Sequence, residues 1–264
     1  MTGHMPRRAG THVRGTLAAL ALAGGLIAAG CTGDSGALLT GAAVQPADTT
    51  AGIEGTPDKP GFNPFSDRSE TDTPAREVLL NPSREEVLKP GPLPEYSLGR
   101  AEAPVVLVKY MSLTCQFCRR FQAEVFPVLK REYIDTGKVR LIIREFPIGK
   151  TSGNATIALR CAPMERYLSL YEKFLQQQSA WVAQEVRPDV IFKVAAQVGL
   201  TREQYDACLK DQKLIDGLKQ VKDRGRTLGI IGTPNFFIDG KLVKKVIGVP
   251  ELRQLLDAAL AGRG

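Results

Sequence analysis

Histidine is nearly missing from this sequence. Its 264 residues hold two, His4 and His12, both near the start of the chain. A cleaved leader would remove both, and the remainder would have no imidazole for a Cys-His nucleophile pair and none for a histidine-ligated metal. A concentrated basic block is missing too. The chain has 35 Lys and Arg against 28 Asp and Glu, a formal charge of +7. Arg7, Arg8 and Arg14 precede Cys31 and no acidic residue does, which leaves 32 against 28, or +4. These charges are interspersed, the pattern of a solvated surface rather than of nucleic-acid binding. Beyond Cys31 no apolar run is long enough to cross a bilayer.

The N-terminus has the arginines of an export signal followed by an uncharged stretch, Gly15 to Gly30, too short for a comfortable transmembrane helix. Residues 1–30 therefore read as a signal peptide. The run Leu26-Ile27-Ala28-Ala29-Gly30-Cys31 resembles a bacterial lipobox, with Cys31 as the lipidated residue and Ala28 where leucine is usual. Ordinary cleavage after Gly30 is the alternative. Either way the protein is expected in the cell envelope, on a membrane if Cys31 is acylated. That compartment is oxidising, and Cys115, Cys118, Cys161 and Cys208 are an even number able to form two disulfides there.

Residues 31–95 are rich in Gly, Ala, Thr, Asp and Pro with little periodicity, and are expected to be a tether without a core of its own. Order is expected from about Leu98. Pro104 to Tyr110 reads as a buried strand, and Phe121, Val125, Val128 and Leu129 recur at helical spacing, with Thr114 as cap and Pro127 as a kink. Val139 to Phe146 is a second strand, giving a parallel strand-helix-strand unit. From about residue 152 to 228 the pattern is helical, with a capping box at Thr201 to Gln204. Asn235 to Ile247 reads as a hairpin turning at Asp239-Gly240, and Leu252, Leu255, Leu256 and Leu260 make a last amphipathic helix. The order indicates an α/β thioredoxin fold with an inserted all-helical domain, occupying residues 96–264.

Cys115-Gln116-Phe117-Cys118 stands at the first turn of the first helix. Two cysteines three apart share a helix face, and the first meets the unpaired N–H groups and positive dipole end, which favour its thiolate. Cys115 is then the nucleophile and Cys118 the resolving thiol. Half a zinc site or a structural clip are the bland readings. Zinc would need a second pair or histidines, and beyond the signal neither exists.

Several stretches resemble the DsbA-like thioredoxin family of bacterial envelopes: Ser97 to Pro104, Tyr110 to Cys118, Tyr133 to Val139, Arg144 to Pro147, and Gly232-Thr-Pro-Asn-Phe-Phe-Ile-Asp-Gly240. The resemblance implies that Pro234 is a cis-proline beside the cysteine pair, with the Thr233 backbone receiving substrate. By itself, a Thr-Pro dipeptide is usually only a turn. The resemblance also implies a structural disulfide between Cys161 and Cys208; two buried free thiols are the alternative. Two departures bear on mechanism. Gln116-Phe117 stands where family oxidases commonly have Pro-His, so a less oxidising potential is expected. Lys109 stands where relatives usually place Glu. It is expected to stabilise a thiolate or, as the favoured arrangement, to pair with Glu145 on the neighbouring strand, pointing outward being the bland reading. Trp181, Tyr167, Tyr171 and Phe174 are read as packing without chemistry.

The resulting expectation is a dithiol oxidase acting on exported cysteine-containing proteins, with no cofactor or metal. The resemblance implies reoxidation by a quinone-coupled membrane partner of the DsbB type. A reductase or isomerase kept reduced by a membrane donor is the second reading, and a tethered copper-binding module the third. A monomer is expected.

Overall fold

The computed structural model describes residues 78–263; the segments expected to be a signal peptide and a tether, with Cys31, lie outside the described residues up to residue 77. The elements in order are α1 (Arg84–Leu88), β1 (Tyr96–Leu98), β2 (Val105–Met111), α2 (Gln116–Arg120), α3 (Phe126–Leu129), β3 (Val139–Glu145), α4 (Gly149–Cys161), α5 (Tyr167–Gln176), α6 (Gln178–Trp181), α7 (Pro188–Ala195), α8 (Arg202–Cys208), α9 (Gln212–Thr227), β4 (Asn235–Ile238), β5 (Lys241–Val243) and α10 (Val249–Ala261). Pro127 does not break the helix after β2. The helical run from Gln116 to Ile134 continues through it, with a wide π-helical turn on each side of α3.

The sheet order is β1-β3-β2-β4-β5. β2 and β3 are parallel, Val105 opposite Val139 and Met111 opposite Glu145, and β4 runs antiparallel to β2. A parallel pair needs a crossover, and the α2–α3 run supplies it. Every residue of β2 is buried, because helices cover both faces of the sheet; hence a run that is apolar on both faces except at Lys109, rather than an alternating one. Alternation survives in which face each residue serves. Val105, Leu107 and Met111 join the larger core under α2, α5 and α10, while Val106, Val108 and Tyr110 join the opposite one with Phe237 and Ile230. On that second face Gly225 of α9 lies so close that an added Cβ would meet the Tyr110 ring at 2.8 Å.

Between β3 and β4 the regular structure is entirely helical, from Gly149 to Thr227. This is the thioredoxin layout with a helical insertion. The Cys161–Cys208 disulfide ties the end of α4 to the end of α8. The hairpin turns at Asp239 and Gly240, both at positive φ (48° and 89°), the geometry of a two-residue turn of type I′.

The tether boundary needs correction. Residues 78–95 were expected to be coreless, but they bind to the outer face of the sheet. Ser83 and Glu86 form a reciprocal capping box on α1, and Val87 is fully buried among Val106, Val108 and Ile142. Arg144, itself buried, reaches from β3 to Glu95 (2.6 Å) and to the carbonyls of Val87 (2.7 Å) and Lys89 (3.2 Å). β1, also unanticipated as a strand, then pairs antiparallel with β3. Its apolar residues, Leu79, Val87 and Leu88 on this core and Leu93 on another, follow no helix or strand period, and the segment is held as well by an arginine some fifty residues on.

Val87→Ala is expected to lower stability by about 2 kcal/mol in urea unfolding, from lost burial plus a cavity; a true tether would show no change. Replacing both Cys161 and Cys208 by Ala is expected to cost about 4 kcal/mol by the loop-entropy relation for a sequence separation of 47, with exchange activity retained.

Candidate active site

Cys115 is itself the N-cap of α2. Its backbone is extended (φ −77°, ψ 116°), which swings Sγ across the first turn to accept from the Cys118 N–H at 3.3 Å. The expected cap, Thr114, turns its hydroxyl to Ser112 Oγ instead (3.2 Å). The cap position, which ordinarily goes to a hydroxyl or carboxylate, is thus held by a sulfur.

Both cysteines of the pair carry free thiols, Cys115 half-buried and Cys118 buried. Hydrogen bonding from the Cys118 thiol and from the backbone N–H groups of Cys118 and Phe117 brings the Cys115 thiol down to about 6 against the opposing effect of burial. Cys118 moves the other way. Burial, the bond it gives Cys115 and the charge of Cys115 push it well above the ordinary thiol value. The two sulfurs are therefore driven apart in acidity by one shared contact.

Thr233-Pro234 is a cis peptide. It enters β4 beside the cysteines, and the Cys115 thiol donates to the Thr233 carbonyl at 3.1 Å. Thus Cys115, Cys118, Thr233 and Pro234, 118 residues apart at the extremes of that bond, are brought together. Gln116 and Phe117 are exposed. They line an open groove with Arg119, Arg120, Ala123, Glu124 and Gln176, and of the two it is the Phe117 backbone that reaches the Cys115 sulfur.

Lys109 is fully buried, so it does not point outward, and the favoured pairing with Glu145 does not form. Glu145 is held by Arg160 (2.7 Å) and by the Tyr167 hydroxyl (2.6 Å), donors supplied by α4 and α5. Lys109 donates to the Tyr171 hydroxyl at 2.8 Å and lies 4.4 Å from the centre of the Phe121 ring and 5.2 Å from that of Tyr171. Glu145 and Lys109 share a face of the sheet, yet the helical insertion supplies each with a different partner.

Two functional neighbours were missed. Tyr171 was assigned to packing alone. Gln178 was not singled out; its buried amide donates to the carbonyls of Leu113 (2.7 Å) and Cys115 (3.1 Å), fixing the loop that presents the sulfur. Neither has a sequence signal, since each acts only once α5 and α6 are laid against α2. Trp181, Tyr167 and Phe174 are core, with the Trp181 indole donating to the Phe174 carbonyl at 2.8 Å.

The acidity of Cys115 gives a pH signature. In the reduced protein, alkylation by iodoacetamide should rise with pH about a midpoint near 6, where free cysteine titrates near about 8.5. Because the folded thiol is the more acidic, its contribution to stability is present above the unfolded value and is lost as pH falls through about 6. Denaturation of the reduced form, compared with the oxidised form, should show that loss between about pH 8.5 and 6.

The sequence matches the thioredoxin family over residues 93–258. A putative protein-disulfide oxidoreductase of Rickettsia bellii is 32% identical over 145 residues, which cover 54% of this chain and 56% of that protein. One from Rickettsia prowazekii is 30% identical over 196 residues, 70% of this chain and 71% of that one. The chain thus spans little more than half the length of the first and about seven-tenths of the second. Among solved structures, α-DsbA1 of Wolbachia pipientis superposes with a TM-score of 0.61 at 27% identity, covering 69% of this chain and 98% of its own. With the sheet order, the helical insertion and a cysteine-capped helix already in place, these matches make the chain a member of the thioredoxin family, of the DsbA-like kind.

Proposed function

We propose that this protein is a thiol:disulfide oxidoreductase of the bacterial envelope that introduces disulfides into exported, cysteine-containing proteins. The observation that carries the reading is the half-buried Cys115 sulfur capping a helix beside Thr233-Pro234, with the buried Cys118 thiol one turn deeper. In the oxidised protein a substrate thiolate attacks Cys115, forming a mixed disulfide and expelling Cys118 as a thiolate that then takes a proton. A second substrate thiolate attacks the substrate sulfur of that bond. The substrate disulfide forms and Cys115 leaves as a thiolate. Two electrons pass from substrate to protein, and a membrane partner of the DsbB type removes them.

What favours oxidation over reduction is the same acidity. A sulfur that is ionised at neutral pH is a good leaving group, and stabilising it stabilises the dithiol form, which makes the disulfide the more oxidising. Against that, no imidazole stands between the cysteines to add its charge. Export and an anchor at Cys31 complete the proposal and rest on the sequence. The second reading is a reductase or isomerase held reduced by a membrane donor.

Alkylation trapping of the protein in its host should find the Cys115–Cys118 pair mostly oxidised; finding it mostly reduced would favour the second reading. The purified protein should refold reduced RNase, Cys115→Ser should abolish that activity, and the measured potential should lie below the about −120 mV of DsbA.

A further inference from the structure

The mechanism above leaves one buried charge unused. Lys109 lies in the middle of β2, opposite Ile143 of β3 and Phe236 of β4, and projects into the core formed by Leu107, Met111, Cys118 and Phe121. Burying an ammonium is expensive unless something compensates it. The partners in place are neutral: the Tyr171 hydroxyl and the faces of Phe121 and Tyr171. The carboxylate on the same sheet face, Glu145, is already taken by Arg160 and Tyr167. The remaining ionisable groups acting on Lys109 are Cys118 and Cys115, at the head of α2.

We propose that Lys109, held by Tyr171 and Phe121, is a positioning residue that supplies the counter-charge for Cys118 whenever the Cys115–Cys118 bond opens or closes. The inference rests on the reading of the cysteine pair as a disulfide-exchange site. In the opening step the substrate sulfur bonds to Cys115, the Cys115–Cys118 bond breaks, and its electron pair goes to Cys118. That negative charge appears inside a low-dielectric core, where Cys118 is disfavoured as an anion by burial. The Lys109 charge opposes the penalty, and in the reverse step it favours the thiolate that re-forms the bond. The same pairing acts on Lys109. Burial draws Lys109 down to about 8, while the charges on Cys118 first and Cys115 second pull it back up.

The test uses the variant Lys109→Met, which keeps an unbranched side chain one atom shorter and removes its charge. With Cys115 capped by iodoacetamide and Cys161 and Cys208 bonded, Cys118 is the thiol of this domain left to titrate, followed by the 13C shift of its Cβ. Its acidity should fall about tenfold or more in Lys109→Met, the effect of removing a nearby opposite charge. Opening of the oxidised pair by dithiothreitol should slow several-fold. An unchanged Cys118 titration in a folded variant overturns the proposal. Should Lys109→Met not fold, the wild-type protein decides: the Lys109 Cε resonance should titrate at higher pH in the reduced than in the oxidised protein, and identical titrations overturn it. A wild-type pair that dithiothreitol and glutathione leave unexchanged would instead overturn the exchange reading on which this one stands.

Discussion

Everything at this site depends on a sulfur occupying a helix cap. A helix begins with N–H groups that have no partner within it, and whatever sits at the cap is drawn toward negative charge. Cys115 has the extended backbone of a cap and accepts from the Cys118 N–H. The same geometry that satisfies an orphan donor also makes the thiol acidic. Structure and reactivity are one interaction here, and the surrounding fold acts to keep that residue where it is. Met111 at the end of β2 delivers the chain to the loop, Gln178 pins the loop carbonyls, and Thr233 closes the far side.

The helical insertion does more than cover the sheet. It supplies Tyr171 to Lys109, Tyr167 and Arg160 to Glu145, and Gln178 to the cysteine loop. Tyr96, Tyr167 and Tyr171 also stack in succession, with ring centres 4.3 and 6.5 Å apart, carrying contact from edge strand β1 to the aromatic seat of Lys109. Two opposite charges on one face of the sheet are thereby kept from each other. Had Lys109 paired with Glu145, its charge would have been spent within the sheet; separated, it rests on Tyr171 and Phe121, and the cysteine charges act on it.

On the opposite face the segment before β1 plays a plainer part. Arg144 anchors it through Glu95 and two backbone carbonyls, and Val87 fills the space above Val106 and Val108. A buried guanidinium must satisfy several donors at once, and an irregular segment with free carbonyls can do this where a regular strand cannot. Together with Leu79, Val87 and Leu88 on the core beneath, that fixes to the domain a stretch with no regular apolar period.

By itself the sequence determined the elements with a local cause. The apolar run of β2, the helical spacing of Phe121 and Val125, the Asp239-Gly240 turn and the spacing of Cys115 and Cys118 follow from residues within a few positions of one another, and local patterns survive in one dimension. Similarity of motif order added the partnership of Thr233-Pro234 with the cysteines. The tertiary structure alone decided which residue capped the helix, that the segment before β1 packs on the sheet, what surrounded Lys109, and that Tyr171 and Gln178 served the site. The cap apart, each of these is a contact between groups tens of residues apart, set by how the helices and the leading segment lie on the sheet. Side-chain charge says that Lys109 needs a partner; only packing says which of several candidates comes within reach.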